Sequence, residues 1–458
     1  MVKMDPTALE KIIRWTGGQL RSGDSALSFD TICTDSRALK AADLFLALRG
    51  DNFDGHTFVA EAARRGAIGA VVEKSLEGLP PGFAQVQVGD TLDALQKIST
   101  RYRGQLPLQV VAITGSNGKT STKDFTAAVL GQNFRVTKTE GNFNNHIGLP
   151  LTMLRARSSD QIGVFEIGMN HPGEIAPLAA LAAPDVAIIT NIGVAHIEYM
   201  GSREAIAKEK GTLAEALQPS GLVILNADDE FSKGIAARTK ADAIFCGLDQ
   251  GDVRAADLRQ DFSGMKFRLG MDDHWVDAEL PVPGVHMVRN ALLAVAAGRF
   301  FGLSLEECAD GLRSLRLTRG RLEQKVINGI HVLDDTYNAN PDSVAAALRT
   351  LAEMPAAGRR IAVLGRMAEL GTESESGHRS VGKAVAEFGI DCLLDVGAEP
   401  AFIAEEAERA GVAEVLRIAN VQDAIATLRE LAKAGDVVLV KGSRSAKMER
   451  IVEGLLTP

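Results

Sequence analysis

Through the middle of the chain, short runs that are apolar nearly throughout alternate with longer stretches whose apolar positions recur every three or four residues. The apolar runs fall at 108–114, 162–167, 186–191, 222–226 and 243–247. Strands that read this way are parallel and covered on both faces. One intervening stretch, 203–217, places Ile206, Leu213 and Leu217 on a helical stripe whose missing position is filled by Lys210. Beyond residue 316 the alternation resumes. Strands are expected at 330–334, 360–364, 391–396, 414–417 and 436–441, with helices at 342–353, 378–387, 400–410, 421–434 and 444–455. The first hundred residues read as a smaller unit, with a helix at 7–15, a short strand within 43–50, a helix at 59–65 and a strand at 67–73.

The expected fold is therefore α/β in three domains: 1–105, 106–316 and 317–458. A central, mostly parallel sheet is flanked by a small N-terminal α/β domain and a C-terminal Rossmann-like α/β domain. At 458 residues the chain exceeds what one core organises. No internal repeat stands out.

The strand at 108–114 runs into Gly115-Ser116-Asn117-Gly118-Lys119-Thr120-Ser121 and then a helical pattern, Phe125, Val129 and Leu130. Strand, glycine-rich turn, helix is the context of a phosphate-binding loop. Glycines let backbone N–H groups approach phosphate oxygens, and the new helix points its positive end at them. Lys119 would add a charge for the β- and γ-phosphates, and Thr120 a hydroxyl for Mg²⁺. The spelling is unusual: two residues separate Gly115 from Gly118, where the common loop has four.

Composition narrows the partners. A net charge of −9 and the lack of a basic run argue against a general nucleic-acid binder. The cysteines, Cys33, Cys246, Cys308 and Cys392, are scattered without metal spacing and read as reduced core thiols. The N-terminus lacks a signal-peptide core, and no apolar run is long enough to span a membrane, so the cytoplasm is expected.

Ligands of parallel sheets gather at the carboxyl ends of strands. Glu166 and His196 stand there and could serve Mg²⁺ and its waters, although a buried polar group is as often only hydrogen-bonded. Lys210 points inward, costly unless it is paired or chemically altered. His286 and Asn290 share a helical face, where Asn290 could meet a base edge or merely cap. Arg37 and His56 could grip an anion, or simply be solvated loop residues.

Together these motifs resemble the Mur ligases, the ATP-dependent amino-acid and peptide ligases of cell-wall precursor synthesis, over essentially the whole chain. Their own short phosphate loop is similar to Gly115–Thr120. Three stretches narrow the likeness: 139–150, the Asp-Asp-Thr-Tyr-Asn-Ala-Asn-Pro string at 334–341, and 439–445. They imply a member acting on UDP-N-acetylmuramoyl-tripeptide and D-alanyl-D-alanine, with ATP and Mg²⁺, as a monomer. The resemblance implies a metal set of Thr120, Glu166, His196 and Lys210, with Lys210 carbamylated by CO₂. It implies nucleotide contacts from His286, Asn290, Arg321, Asp335 and Asn338. It places Ser36, Arg37, Asp54 and His56 on the uridine nucleotide, and Asn142, Asn144, Asn145 and Lys441 on substrate. Gly365-Arg366-Met367 departs from the family's usual Gly-Asp-Met. Other readings stay open here. One is a superfamily ligase with a different acceptor, such as the third-residue-adding ligase or folylpolyglutamate synthase. Another is a nucleotide switch, and a third a binding protein without chemistry.

Overall fold

A computed structural model describes residues 1–50, 53–397 and 400–456. The chain forms two compact units. The first comprises Met1–Ala112, Phe134–Gly168 and Glu174–Asp185; the second, Ile113–Asn133, Met169–Gly173 and Val186–Pro458. Residues 134–168, which the sequence groups with the central domain, thus cluster with the N-terminal segment.

In the first unit a six-stranded mixed sheet runs in the order Val2–Ala8, Ser28–Cys33, Leu44–Leu46, Gly69–Val72, Ala84–Gln87, Gln19–Ser22. The helix expected at 7–15 is observed at Leu9–Thr16, and the residues before it form a strand antiparallel to Ser28–Cys33. The signal was a short alternation: Val2 and Met4 are buried, Lys3 is exposed and Asp5 half-buried. Pro6 interrupts the run, and the register shifts between Lys3 and Thr7. The helix turns Leu9, Ile12 and Trp15 into a core shared with Ile98 and Tyr102. Burying each of the aliphatic side chains contributes about 1.5–3 kcal/mol. Strands Val136–Lys138 and Ile162–Glu166 pair in parallel in the same unit.

In the second unit the parallel strands Val186–Ile189 and Leu222–Asn226 carry the buried apolar runs that the sequence implies, while their parallel neighbour Asp242–Gly247 is half-buried at 243–245 and buried only at Cys246 and Gly247. An antiparallel ribbon follows, Val253–Asp261, Gly264–Met271 and His274–Leu280. The sequence reading missed it. One face is solvated, so the strands alternate charged and apolar residues instead of running apolar, and an irregularity between Ala256 and Arg259 breaks the alternation. The helix Val285–Phe300 is rich in alanine and packs on the helix Lys119–Leu130. The approach is so close that a Cβ on Gly298 would lie 2.7 Å from Val129 Cγ1.

The C-terminal sheet has the order Glu323–Ile327, Ile330–Asp335, Val437–Lys441, Arg360–Gly365, Cys392–Val396, Glu414–Ile418. The first strand is antiparallel and the rest are parallel. The edge strand was missed because it is polar and half-exposed. The helix expected at 378–387 starts earlier, at Ser374, and the one expected at 444–455 is a short 3₁₀ turn followed by Glu449–Leu456. Pro341–Glu353 forms as expected: Pro341 fits the first helical position, and Asn340 caps it by accepting Ser343 N–H at 2.9 Å. No helix among the described residues is long and apolar enough to cross a membrane. All four cysteines are free, buried thiols, and burial pushes Cys308 and Cys392 up to about 12.

Asp395, at the carboxyl end of Cys392–Val396, is buried with one oxygen on Ala404 N–H at 3.1 Å and the other unpartnered. Burial pushes its carboxyl up to about 6. The folded chain thus keeps a proton that the unfolded chain sheds, and stability falls as pH rises from about 4 to about 6. The stability of Asp395→Asn relative to the parent should grow by on the order of 2–3 kcal/mol between about pH 4 and pH 8 in urea melts. A pH-independent difference would place the charge in solvent.

Candidate active site

Strand Gln109–Thr114 is buried beyond its first residue and delivers the chain into the loop 115–118. Both glycines of the loop are obligatory. Gly115 has φ +150°, and a Cβ there would lie 1.8 Å from Thr190 Oγ1. Gly118 has φ +81°, and its Cβ would lie 2.6 Å from Asn290 Oδ1. Asn191 braces the loop between them, accepting Ser116 N–H on its carbonyl and Asn117 N–H on its side chain, each at 2.9 Å. The helix Lys119–Leu130 that follows has no side-chain cap, which suits an anion at its N-terminus. Lys119 Nζ donates to Gly115 O at 2.7 Å.

The C-terminal sheet closes over this loop. Arg321 Nη2 donates to Thr120 Oγ1 at 3.3 Å, and the guanidinium lies 4.1 Å from the Tyr337 ring centroid. Its Nε is buried without a hydrogen-bond partner, a donor awaiting an acceptor. The linker into that sheet is fixed by Asp124, which accepts both Thr318 N–H and Thr318 Oγ1–H at 2.8 Å. Asn340 Nδ2 donates to Asn117 Oδ1 at 2.7 Å, and Asp342 Oδ2 accepts Val194 N–H at 3.1 Å. His196, with φ +63°, puts Nδ1 2.8 Å from Glu369 Oε2, and the pair holds the Glu369 carboxyl below its usual range. The ring N–H lies off the line of a well-formed hydrogen bond. Glu369 itself sits at φ +61°, on a loop pinned by neutral His378, whose Nε2 accepts Met367 N–H at 3.0 Å. Arg366 is exposed.

Lys210 is buried as its stripe implied. Burial, then the Lys119 charge, pushes its ammonium well down, while Glu209 opposes. Asn290 sits against Gly118, so the structure gives it the phosphate loop as a neighbour. His286 stands one helical turn earlier, and burial first, then Lys441 and Arg289, push it down to about 4 against the pull of Asp335. Lys441 is fully buried, donating to Asp335 Oδ2 at 2.6 Å and Asn338 O at 2.9 Å. It therefore braces the Asp334–Pro341 string instead of standing open to substrate. Asn338 is exposed.

The remaining candidates lie in the first unit. Glu166 is buried, accepting Asn144 Nδ2–H at 2.9 Å. Asn145 caps the next turn through Gly148 N–H at 2.8 Å, while Asn142 is exposed. Arg37 is exposed and folded back on Asp35 at 2.9 Å; Ser36 beside it is buried. His56 Nδ1 meets Asp54 Oδ1 at 2.6 Å, and Nε2 accepts Glu73 N–H at 2.8 Å. Both ring nitrogens thus hold the loop's own shape, so His56 has no open donor for an anion here. The expected metal set is divided between the units: Glu166 in the first; Thr120, His196 and Lys210 in the second.

Asn191 stands at a strand end, where the sequence places ligand-facing residues; Asn340 and Glu369 lie in polar stretches after strands but have no role assigned from the sequence, and Asp124 and Asp342 were missed. An asparagine before Pro341 is a helix-start pattern that could have singled out Asn340, but nothing local announces its reach to Asn117.

Three family profiles match the chain: "Mur ligase family, catalytic domain" at 28–103, "Mur ligase middle domain" at 113–298, and "Mur ligase, glutamate ligase domain" at 320–444. The UDP-N-acetylmuramoyl-tripeptide--D-alanyl-D-alanine ligase of Bacillus subtilis is 38% identical over 93% of each chain. A crystal structure of MurF from Acinetobacter baumannii covers 100% of both chains at 31% identity with TM-score 0.91. The MurF ligase of Thermotoga maritima, solved in complex with ADP, covers 93% of this chain and 97% of its own at 29% identity with TM-score 0.84.

Nuclear magnetic resonance of the ring protons should give His286 a midpoint near 4 and no titration near 6.5. A midpoint near 6.5 would mean that water reaches the ring.

Proposed function

The chain belongs to the Mur ligase family, and from that premise we propose that it joins D-alanyl-D-alanine to UDP-N-acetylmuramoyl-tripeptide with hydrolysis of ATP to ADP and phosphate, in peptidoglycan precursor synthesis. The observation that carries the reading is the phosphate loop closed by Arg321, whose buried Nε–H has no acceptor among the described residues. The reaction would run in the cytoplasm, as the four free thiols suit.

The reaction is two transfers. An oxygen of the tripeptide carboxylate bonds to the γ-phosphorus as the bond to the β,γ-bridging oxygen breaks, and ADP leaves. The amine of D-alanyl-D-alanine then bonds to the acyl carbon and loses a proton to solvent, and the tetrahedral intermediate expels phosphate. A carboxylate alone is a poor acyl donor; phosphorylation supplies the leaving group. The protein's work is positioning and charge. Loop N–H groups and Lys119 hold the β- and γ-phosphates. Arg321 sits over the Tyr337 ring and directs its remaining donors at the transferred group. Neutral His286 shapes the base end, Asn290 backs the phosphate loop at Gly118, and the Lys441–Asp335 pair braces the wall.

Among the described residues no three His, Cys, Asp or Glu gather into a metal cage. That fits a hard cation that takes most of its ligands from phosphate and water. Within the second unit Thr120, His196 and carbamylated Lys210 would hold Mg²⁺, which neutralises phosphate charge when bound. The Lys210 amine suits the modification. Its depressed basicity leaves electrons for CO₂; an N–C bond forms, a proton is released, and the new anion offsets Lys119.

Purified protein with ATP, Mg²⁺ and the tripeptide nucleotide should release phosphate only when D-alanyl-D-alanine is added, with a pentapeptide product by mass. Release that ignores the acceptor would instead make the protein a nucleotide switch; turnover with another amino acid would keep the mechanism and change the substrate. In Lys210→Ala, ligation should fall by on the order of 10²-fold or more. A ¹³C-carbamate resonance present in the parent should vanish with it. Full activity in that variant would remove Lys210 from the site.

A further inference from the structure

The helix Pro341–Glu353 begins with a residue that does two jobs. Asn340 Oδ1 accepts Ser343 N–H at 2.9 Å and so caps the helix. That bond fixes which way the amide faces, because only the oxygen can accept. Its Nδ2 is left aimed at Asn117 Oδ1, 2.7 Å away in the phosphate loop. Asn117 is fixed in turn: its backbone N–H is held by Asn191, and its carbonyl accepts Thr190 Oγ1–H. The C-terminal sheet therefore grips the loop through a side-chain amide.

A second contact stands beside it. Asp342, two residues on, accepts Val194 N–H at 3.1 Å on the loop leading to His196. Gly193 makes room for it: a Cβ there would lie 2.4 Å from Asp342 Oδ2 and 3.4 Å from Asn117 Nδ2. Gly193 is not among the residues with positive φ, so its want of a side chain is a matter of space, not backbone freedom.

We propose that Asn340 is a positioning residue for phosphoryl transfer, holding the phosphate loop in its reactive shape through Asn117, with Asp342 doing the same for the loop that carries His196. Neither side chain reaches the reacting atoms. Their effect is to make the loop's final geometry conditional on the C-terminal sheet being seated. ATP can enter the loop without them; the γ-phosphate is aligned only with them. The inference rests on the ligase reading above for its kinetic test, and on the structure alone for its exchange test.

Asn340→Ser and Asn340→Asp both keep a good helix cap and both remove the donor to Asn117. Only the second adds charge. Each should lower kcat by on the order of 10-fold or more, with the KM for ATP within about 3-fold and the melting temperature nearly unchanged. Asn117→Ala should cost a similar factor, and the double variant Asn117→Ala with Asn340→Ser should be no worse than the worse single. Hydrogen exchange of the loop peptide spanning 113–120 should rise in Asn340→Ser without any ligand. Parent-like kcat in Asn340→Ser would overturn the proposal. So would a loss confined to Asn340→Asp, a change in KM alone, or multiplicative singles. Absence of acceptor-dependent turnover in the parent would sink the ligase reading instead, and unchanged loop exchange would still sink this one.

Discussion

Everything at this site depends on a space into which no Cβ fits. Thr190 fills the volume beside Gly115, and Asn290 fills the volume beside Gly118. Neighbouring strand and helix thus mould the loop from outside, and Asn191 holds two of its backbone N–H groups in place. A loop shaped this way needs little reorganisation to meet phosphate, which is how preorganised donors gain their effect. The same crowding explains the short spelling. With Thr190 and Asn191 supplying the outer wall, fewer loop residues are needed to make the turn.

Buried cations are the second theme. Lys210 and Lys441 are both almost fully enclosed, yet they meet different fates. Lys441 has Asp335 at 2.6 Å and works as a brace. Lys210 has Lys119 as a repelling neighbour, with Glu209 opposing it. An uncompensated buried ammonium is costly, so one either shifts its protonation or acquires a new charge. The chain uses one solution to hold the wall and leaves the other available for chemistry.

The parallel strands were legible because burial on both faces writes them as apolar runs; Val186–Ile189 and Leu222–Asn226 fell where the pattern put them. The phosphate loop was legible because glycine is required there locally. Lys210 was legible from a helical stripe. The ribbon Val253–Leu280 was not, since a half-solvated strand with a register shift loses its alternation. Arg37 and His56 were placed on a ligand by analogy, and the structure shows local partners that no spacing rule exposes. Asp124, Asn340 and Glu369 act across separations that only the folded chain closes.

The doubly bonded Thr318 has a mechanical consequence. Asp124 belongs to the helix that springs from the phosphate loop, so the linker is riveted to that helix and cannot flex at 318. The next positions that take unusual backbone angles are Gly320, at φ +71°, and Leu322, at φ +52°. Any turn of the C-terminal sheet about its linker would therefore fall within the next four residues, and Arg321 is among them. An axle that carries the arginine cannot turn without carrying it off Thr120. Opening and disarming would then be one movement, and a nucleotide held with the sheet turned away would be spared futile loss of its terminal phosphate.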